Sequence, residues 1–216
     1  MAKLKAQKMI ACVDVQYDGN RARAACVVFD TWTAPKPQQE LVCDIEDVAD
    51  YIPGQFYLRE MPCVQQVIAP LLGDLDLLII DGYVYLDESN SPGLGAHLYE
   101  ALDRQLPIVG VAKTSFKGSK HAAHVTRNGS SRPLYLTAIG TDLDEAADNA
   151  KTRRSTLPYV TASTKRLRVT SHDAALGRQP RKKSSERKAN CSRDDHTQQK
   201  TASRISSRRL NFVHSI

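Results

Sequence analysis

Residues 74–81 read DLDLLIID, residues 107–113 read PIVGVAK, and GLGAHLYEALDRQ lies between them at 93–105. The first run is apolar at every position from Leu77 to Ile80, the pattern of a strand covered on both faces. The second run has the same character, and the intervening segment reads as a helix. Strand, helix and strand at this spacing form a parallel crossover unit, because parallel neighbours cannot be joined by a tight turn.

On the N-terminal side, residues 8–17 (KMIACVDVQY) and 21–32 (RARAACVVFDTW) flank a DGN turn, which predicts a hairpin. QELVCDIED over 39–47 is compatible with a third strand, although Asp44, Glu46, Asp47 and Asp50 weigh against it. Residues 61–73 place Val64, Val67, Ile68, Leu71 and Leu72 at helical spacing, with Pro62 near the start where proline is tolerated. On the C-terminal side, 121–140 reads as two strands around an Asn128-Gly129 turn. A helix follows, begun by Asp142 with Glu145 at capping-box spacing. An antiparallel meander feeding parallel crossover strands predicts a mixed α/β sheet flanked by helices.

The charge is divided unevenly along the chain. Residues 1–150 hold 13 Lys and Arg against 20 Asp and Glu, a net of −7, whereas residues 151–216 hold 17 against 4, a net of +13. The pI of about 9.1 therefore describes the C-terminal part, and whole-chain charge says nothing about the nucleic-acid affinity of the rest. From about Thr152 periodic patterning stops, and 170–209 is rich in Ser, Arg, Lys, Gln and Thr. A domain over 1–151 and a basic, disordered tail over 152–216 are expected. The five cysteines (Cys12, Cys26, Cys43, Cys63 and Cys191) form no CxxC pair, so neither a disulfide framework nor a zinc knuckle is suggested. With no apolar run long enough for a signal peptide or a membrane span, a soluble cytoplasmic protein is expected, with no obligate protein partner.

Asp14 in VDVQY, Glu60 in FYLREMP and Asp81 in LLIIDG read as carboxylates at strand ends in apolar settings, where a divalent metal is a natural holder. Each has a plain alternative: a solvent-facing strand residue for Asp14, half of a surface ion pair with Arg59 for Glu60, turn chemistry for Asp81. Lys113 ends GVAK, where a lysine can face phosphate oxygens or simply extend into water. Together, three acids and a lysine at element edges match metal-dependent phosphodiester hydrolysis. Carboxylates hold Mg²⁺, the ion generates hydroxide, and the lysine offsets charge building on phosphorus.

The run VDVQY, YIPGQFYLREMP, LLIIDG, PIVGVAK and RPLYLTAIG resembles the endonuclease V family in order and wording over about residues 10–150. The most specific part is YIPG followed closely by Leu58-Arg59-Glu60-Met61-Pro62. The resemblance implies a ribonuclease H-like fold and Mg²⁺-dependent cleavage (Mn²⁺ substituting) of DNA or RNA on the 3′ side of deaminated purines such as inosine, with a place in DNA repair. By motif match, Asp14, Glu60 and Asp81 fall on the metal-binding acids and Lys113 on the catalytic-site lysine. Tyr51, followed by Pro53 and Gly54, falls on the aromatic wedged beside the flipped base, and Gly82 on the lesion pocket.

Two departures accompany this resemblance. After Gly82 the family's His-Pro-Arg segment is replaced by YVYLDESNSPGLGAHL, in which Asp87 and Glu88 bring negative charge and His97 reads as a packing residue. Beyond DNAK the family's late site residue has no clear counterpart, His172-Asp173 being the nearest, and a frameshifted or non-homologous C-terminus is one explanation. A catalytically weakened nucleic-acid-binding relative, or a ribonuclease H-like nuclease of branched DNA, stands as the alternative function.

Overall fold

The computed structural model describes residues 8–116, 119–126 and 132–152. The predicted tail, the Asn128-Gly129 turn and His172-Asp173 lie outside the described residues. Among the described residues seven strands form one mixed sheet: β1 (Ile10–Asp18), β2 (Arg21–Phe29), β3 (Gln39–Ile45), β4 (Leu77–Asp81), β5 (Ile108–Ala112), β6 (Ala123–Val125) and β7 (Leu134–Ile139). Three α-helices accompany them: α1 (Phe56–Ile68), α2 (Leu94–Ala101) and α3 (Leu143–Thr152). The strand order is β3-β2-β1-β4-β5-β7-β6. β1 pairs antiparallel with β2 and β2 with β3, whereas β1, β4 and β5 run parallel. The predicted meander and crossover are both present.

Alternation along the strands divides the core. Ala11, Val13, Leu78 and Ile80 point to the face covered by α1 and α2, where Val64, Ile68 and Leu98 complete the packing. Ile10, Cys12, Leu77, Ile79, Val109 and Val111 point to the other face, under Ala146 and Ala147 of α3. The last helix begins as its sequence predicts, with the Asp142 carboxylate accepting the Glu145 N–H at 2.8 Å.

Two expectations are corrected, and the third strand is present in spite of its acidic residues. The helix placed at 61–73 runs from Phe56 to Ile68, followed by a 3₁₀ turn over Ala69–Leu71, and Leu72 is 46% exposed. Its buried stripe (Glu60, Cys63, Val64, Val67, Ile68) begins before Pro62. The proline sits on the exposed side, so the Leu58 carbonyl it leaves without a helical donor can meet water. Glu60 therefore lies inside a helix and not at a strand end. Finally, the acidic residues of β3 do not prevent the strand, because Arg23 pairs with Asp44 across the ladder and Arg21 with Glu46.

Candidate functional site

Sheet register brings the first two acids together. Val13 pairs with Ile80 across the parallel β1–β4 ladder, so the next residues, Asp14 and Asp81, come out side by side at the strands' C-terminal edge. Both fall on the parity of Cys12 and Ile79. Asp81 in turn pairs with Val111 of β5. Lys113, two residues beyond Val111 and on the same parity, donates from Nζ to Asp81 Oδ2 at 2.8 Å. This edge of parallel strands is where ligand sites in open α/β sheets collect.

Glu60 arrives from the opposite layer. It projects from α1 and is only 6% exposed, with Oε2 buried and unpartnered by any hydrogen bond. No ion pair joins it to Arg59, whose Nη2 donates instead to the Gly19 carbonyl at 2.6 Å. Burial, followed by the charges of Asp81 and Asp14, holds the Glu60 carboxyl well above the ordinary carboxylate range. The three acids from three separate elements thus share one electrostatic site.

Among the described residues no group of three or more His, Cys, Asp and Glu side chains stands in an arrangement that could hold a metal ion, and Asp81 Oδ2 is engaged by Lys113. The donor chemistry nevertheless fits a hard divalent cation. It is an all-oxygen set, and it contains a buried carboxylate oxygen without a partner, beside two further carboxylates whose repulsion a cation would relieve.

The YIPG segment forms a turn in which the Gln55 N–H donates to the Ile52 carbonyl at 3.0 Å, with Gly54 at φ 78°. Proline followed by a positive-φ glycine is the chemistry of a type II turn. It leads directly into α1 and leaves Tyr51 50% exposed beside it. Tyr51 packs on Phe56 with ring centroids 6.2 Å apart, and Phe56 packs edge-on against Tyr17 at 6.0 Å. The Arg59 guanidinium covers the Tyr17 ring at 4.3 Å. Sequence reading gave Tyr17 no role and Arg59 only that of a surface ion-pair partner of Glu60. The strand period could have found the first, since Tyr17 is three residues from Asp14 and so faces α1.

Gly82 has φ 139°, a conformation that favours glycine, and its N–H donates to the Val111 carbonyl at 3.1 Å. The rewritten loop beyond it is pinned to the fold. Tyr83 donates its hydroxyl to the Thr114 carbonyl at 2.8 Å, the Val84 N–H donates to Thr137 Oγ1 at 2.8 Å, and His121 Nε2 donates to the Tyr85 carbonyl at 2.9 Å. Asp87 caps its own turn, with Oδ1 accepting from the Ser89 and Ser91 N–H groups at 2.9 and 3.1 Å. His97 stacks on Tyr57 at 3.7 Å, joining α2 to α1 as a packing residue.

The sequence profile described as Endonuclease V matches residues 1–167, more than three quarters of the chain. The chain belongs to the endonuclease V family. Relatives named Endonuclease V include that of Methanopyrus kandleri, 35% identical over 125 residues, which cover 58% of this chain and 52% of the relative. That of Azotobacter vinelandii is 35% identical over 128 residues, 58% of this chain and 56% of the relative. The chain spans about half the length of the curated relatives it matches. Among solved structures, Endonuclease V of Streptomyces avermitilis superposes with a TM-score of 0.58 at 23% identity, over 79% of this chain and 84% of that one. Endonuclease V of Ciona intestinalis, in complex with a 24mer DNA containing an inosine followed by a ribo-adenosine, gives 0.58 at 16%, over 77% and 87%. The fold is therefore the ribonuclease H-like fold of the endonuclease V family. The family match continues past Lys151, the boundary expected from composition, to residue 167.

Proposed function

We propose that this protein is a Mg²⁺-dependent endonuclease that cleaves DNA or RNA on the 3′ side of inosine and related deaminated purines, in cytoplasmic DNA repair. The observation that carries this reading is the unpartnered, buried oxygen of Glu60 within electrostatic reach of Asp14 and Asp81. Asp14, Glu60 and Asp81 would hold Mg²⁺, with Mn²⁺ able to substitute. Bound there, the ion supplies hydroxide for attack on phosphorus and stabilises the leaving oxygen. Lys113, already oriented by Asp81, offsets the charge gathering on the phosphate oxygens. Tyr51, held out by the Pro53-Gly54 turn, stacks beside the strand from which the base is withdrawn. Gly82 admits the base without a side chain in the way.

The test is incubation with Mg²⁺ and end-labelled oligonucleotides with and without a single inosine, alongside Asp81→Ala. Cleavage confined to the inosine strand and lost in the variant is expected. Equal cleavage by both proteins, or by neither, overturns the reading. Preference for a branched substrate over the inosine strand would instead favour a nuclease of structured DNA.

A further inference from the structure

Four side-chain polar atoms among the described residues are buried without a hydrogen-bond partner: Tyr17 Oη, Arg59 Nε, Glu60 Oε2 and His121 Nδ1. Three of the four belong to one seam between β1 and α1. Buried polar atoms are ordinarily paired, so a cluster of three in one place calls for a functional account. Tyr17 lies against the first turns of α1, in edge contact with Phe56 and under Arg59. Glu60 is four residues beyond Phe56, on the same side of the helix. The seam thus holds both an unpartnered hydroxyl donor and an unpartnered carboxylate oxygen, and the charge of Glu60 reaches Tyr17 electrostatically.

We propose that Tyr17 is a positioning residue for Glu60: its hydroxyl is the donor that orients the carboxylate for a divalent cation, and Arg59 holds the phenol ring in place. This rests on Glu60 being a metal ligand, as argued above. A ligating carboxylate offers one oxygen to the metal, and the other needs a donor to fix its rotation; such outer partners are worth about 10–100-fold in metal affinity. Arg59 commits Nη2 to the Gly19 carbonyl at 2.6 Å and lays its guanidinium over the phenol ring, which leaves its Nε as a second unpartnered donor in the seam, one that Tyr17→Phe does not remove. Clamped between the β1–β2 turn and the ring, Arg59 limits where Tyr17 can move.

The experiment is calorimetric titration of the full chain with Mn²⁺ alone, without nucleic acid, for the wild type, Tyr17→Phe, Glu60→Gln and the double variant. Tyr17→Phe keeps the ring that Phe56 and Arg59 contact and removes only the hydroxyl. It should weaken Mn²⁺ binding about tenfold while leaving the metal-free melting temperature unchanged or slightly raised. In the Glu60→Gln background, removal of the hydroxyl should cause no further loss, because the partner it orients is gone. Wild-type affinity in Tyr17→Phe, or an additive loss in the double variant, overturns the positioning role. Wild-type affinity in Glu60→Gln overturns the assignment of Glu60 as a ligand, a failure distinct from that of Tyr17.

Discussion

A carboxylate that is 6% exposed, with one oxygen unpartnered and two other acids nearby, lowers the stability of the fold whenever it is ionised. Nothing in the packing of α1 requires an acid there, since its neighbours Cys63 and Val64 are buried among aliphatic side chains. Glu60 thus sits there at a cost to folding, which its proposed role as a metal ligand would account for. Its proton affinity is raised in the folded state, so the unfolded chain releases the proton first. Metal-free protein then loses stability as pH rises above about 4, the ordinary glutamate range. Glu60→Gln removes this effect. In a chelator its melting temperature should exceed that of the wild type at pH 8 and approach it at pH 5, whereas saturating Mg²⁺ should stabilise the wild type more. Identical melting curves in all conditions would show that Glu60 neither repels its neighbours nor binds the ion.

At the scale of elements, the strands that carry Asp14 and Asp81 were legible because apolar runs and hairpin signals specify them almost without tertiary context. The α1 start was not, because Pro62 looks like a helix beginning while the apolar stripe that decides the boundary starts upstream of it. Glu60 was consequently found by motif but placed on the wrong kind of element. The seam around Tyr17 was hidden for a related reason: it is made by a strand and a helix about forty residues apart in sequence, a distance that no local pattern spans. The loop after Asp81 shows how such distant contacts set a site. It crosses β5 at Gly110, where a Cβ would lie 2.6 Å from the Gly82 carbonyl, 2.9 Å from Val84 N and 3.0 Å from Thr137 Oγ1. Backbone cannot yield as a flexible side chain does. Gly110→Ala should therefore destabilise the protein by about 1–3 kcal/mol, the usual cost of overpacking, and displace Gly82. If Gly82 borders the base pocket, discrimination between inosine and unmodified strands should fall more than cleavage itself. Denaturant melts and paired cleavage assays measure the two effects, and an unchanged inosine preference would remove Gly82 from the pocket.

For the molecule as a whole, the acidic balance of residues 1–150 works against the proposed action on nucleic acids, since a net of −7 repels the phosphate backbone at long range. The residues beyond the family match reverse it. Residues 168–216 contain 12 Lys and Arg against 4 Asp and Glu. Counterion release makes such a segment a source of affinity that ignores base identity and weakens steeply with salt. Truncation after Leu167 leaves the matched span intact, so two outcomes should separate cleanly. Affinity for single-stranded DNA at low salt should fall, and the dependence of log K on log salt should flatten by about 0.7 for each phosphate that the shortened chain no longer neutralises. The ratio of inosine to unmodified cleavage should stay as it was, because the residues that would read the base and hold the ion all lie before residue 114. A truncated protein that binds with the same salt slope would show that the basic segment does not touch nucleic acid. One that keeps its binding but loses inosine preference would place a specificity element beyond Leu167.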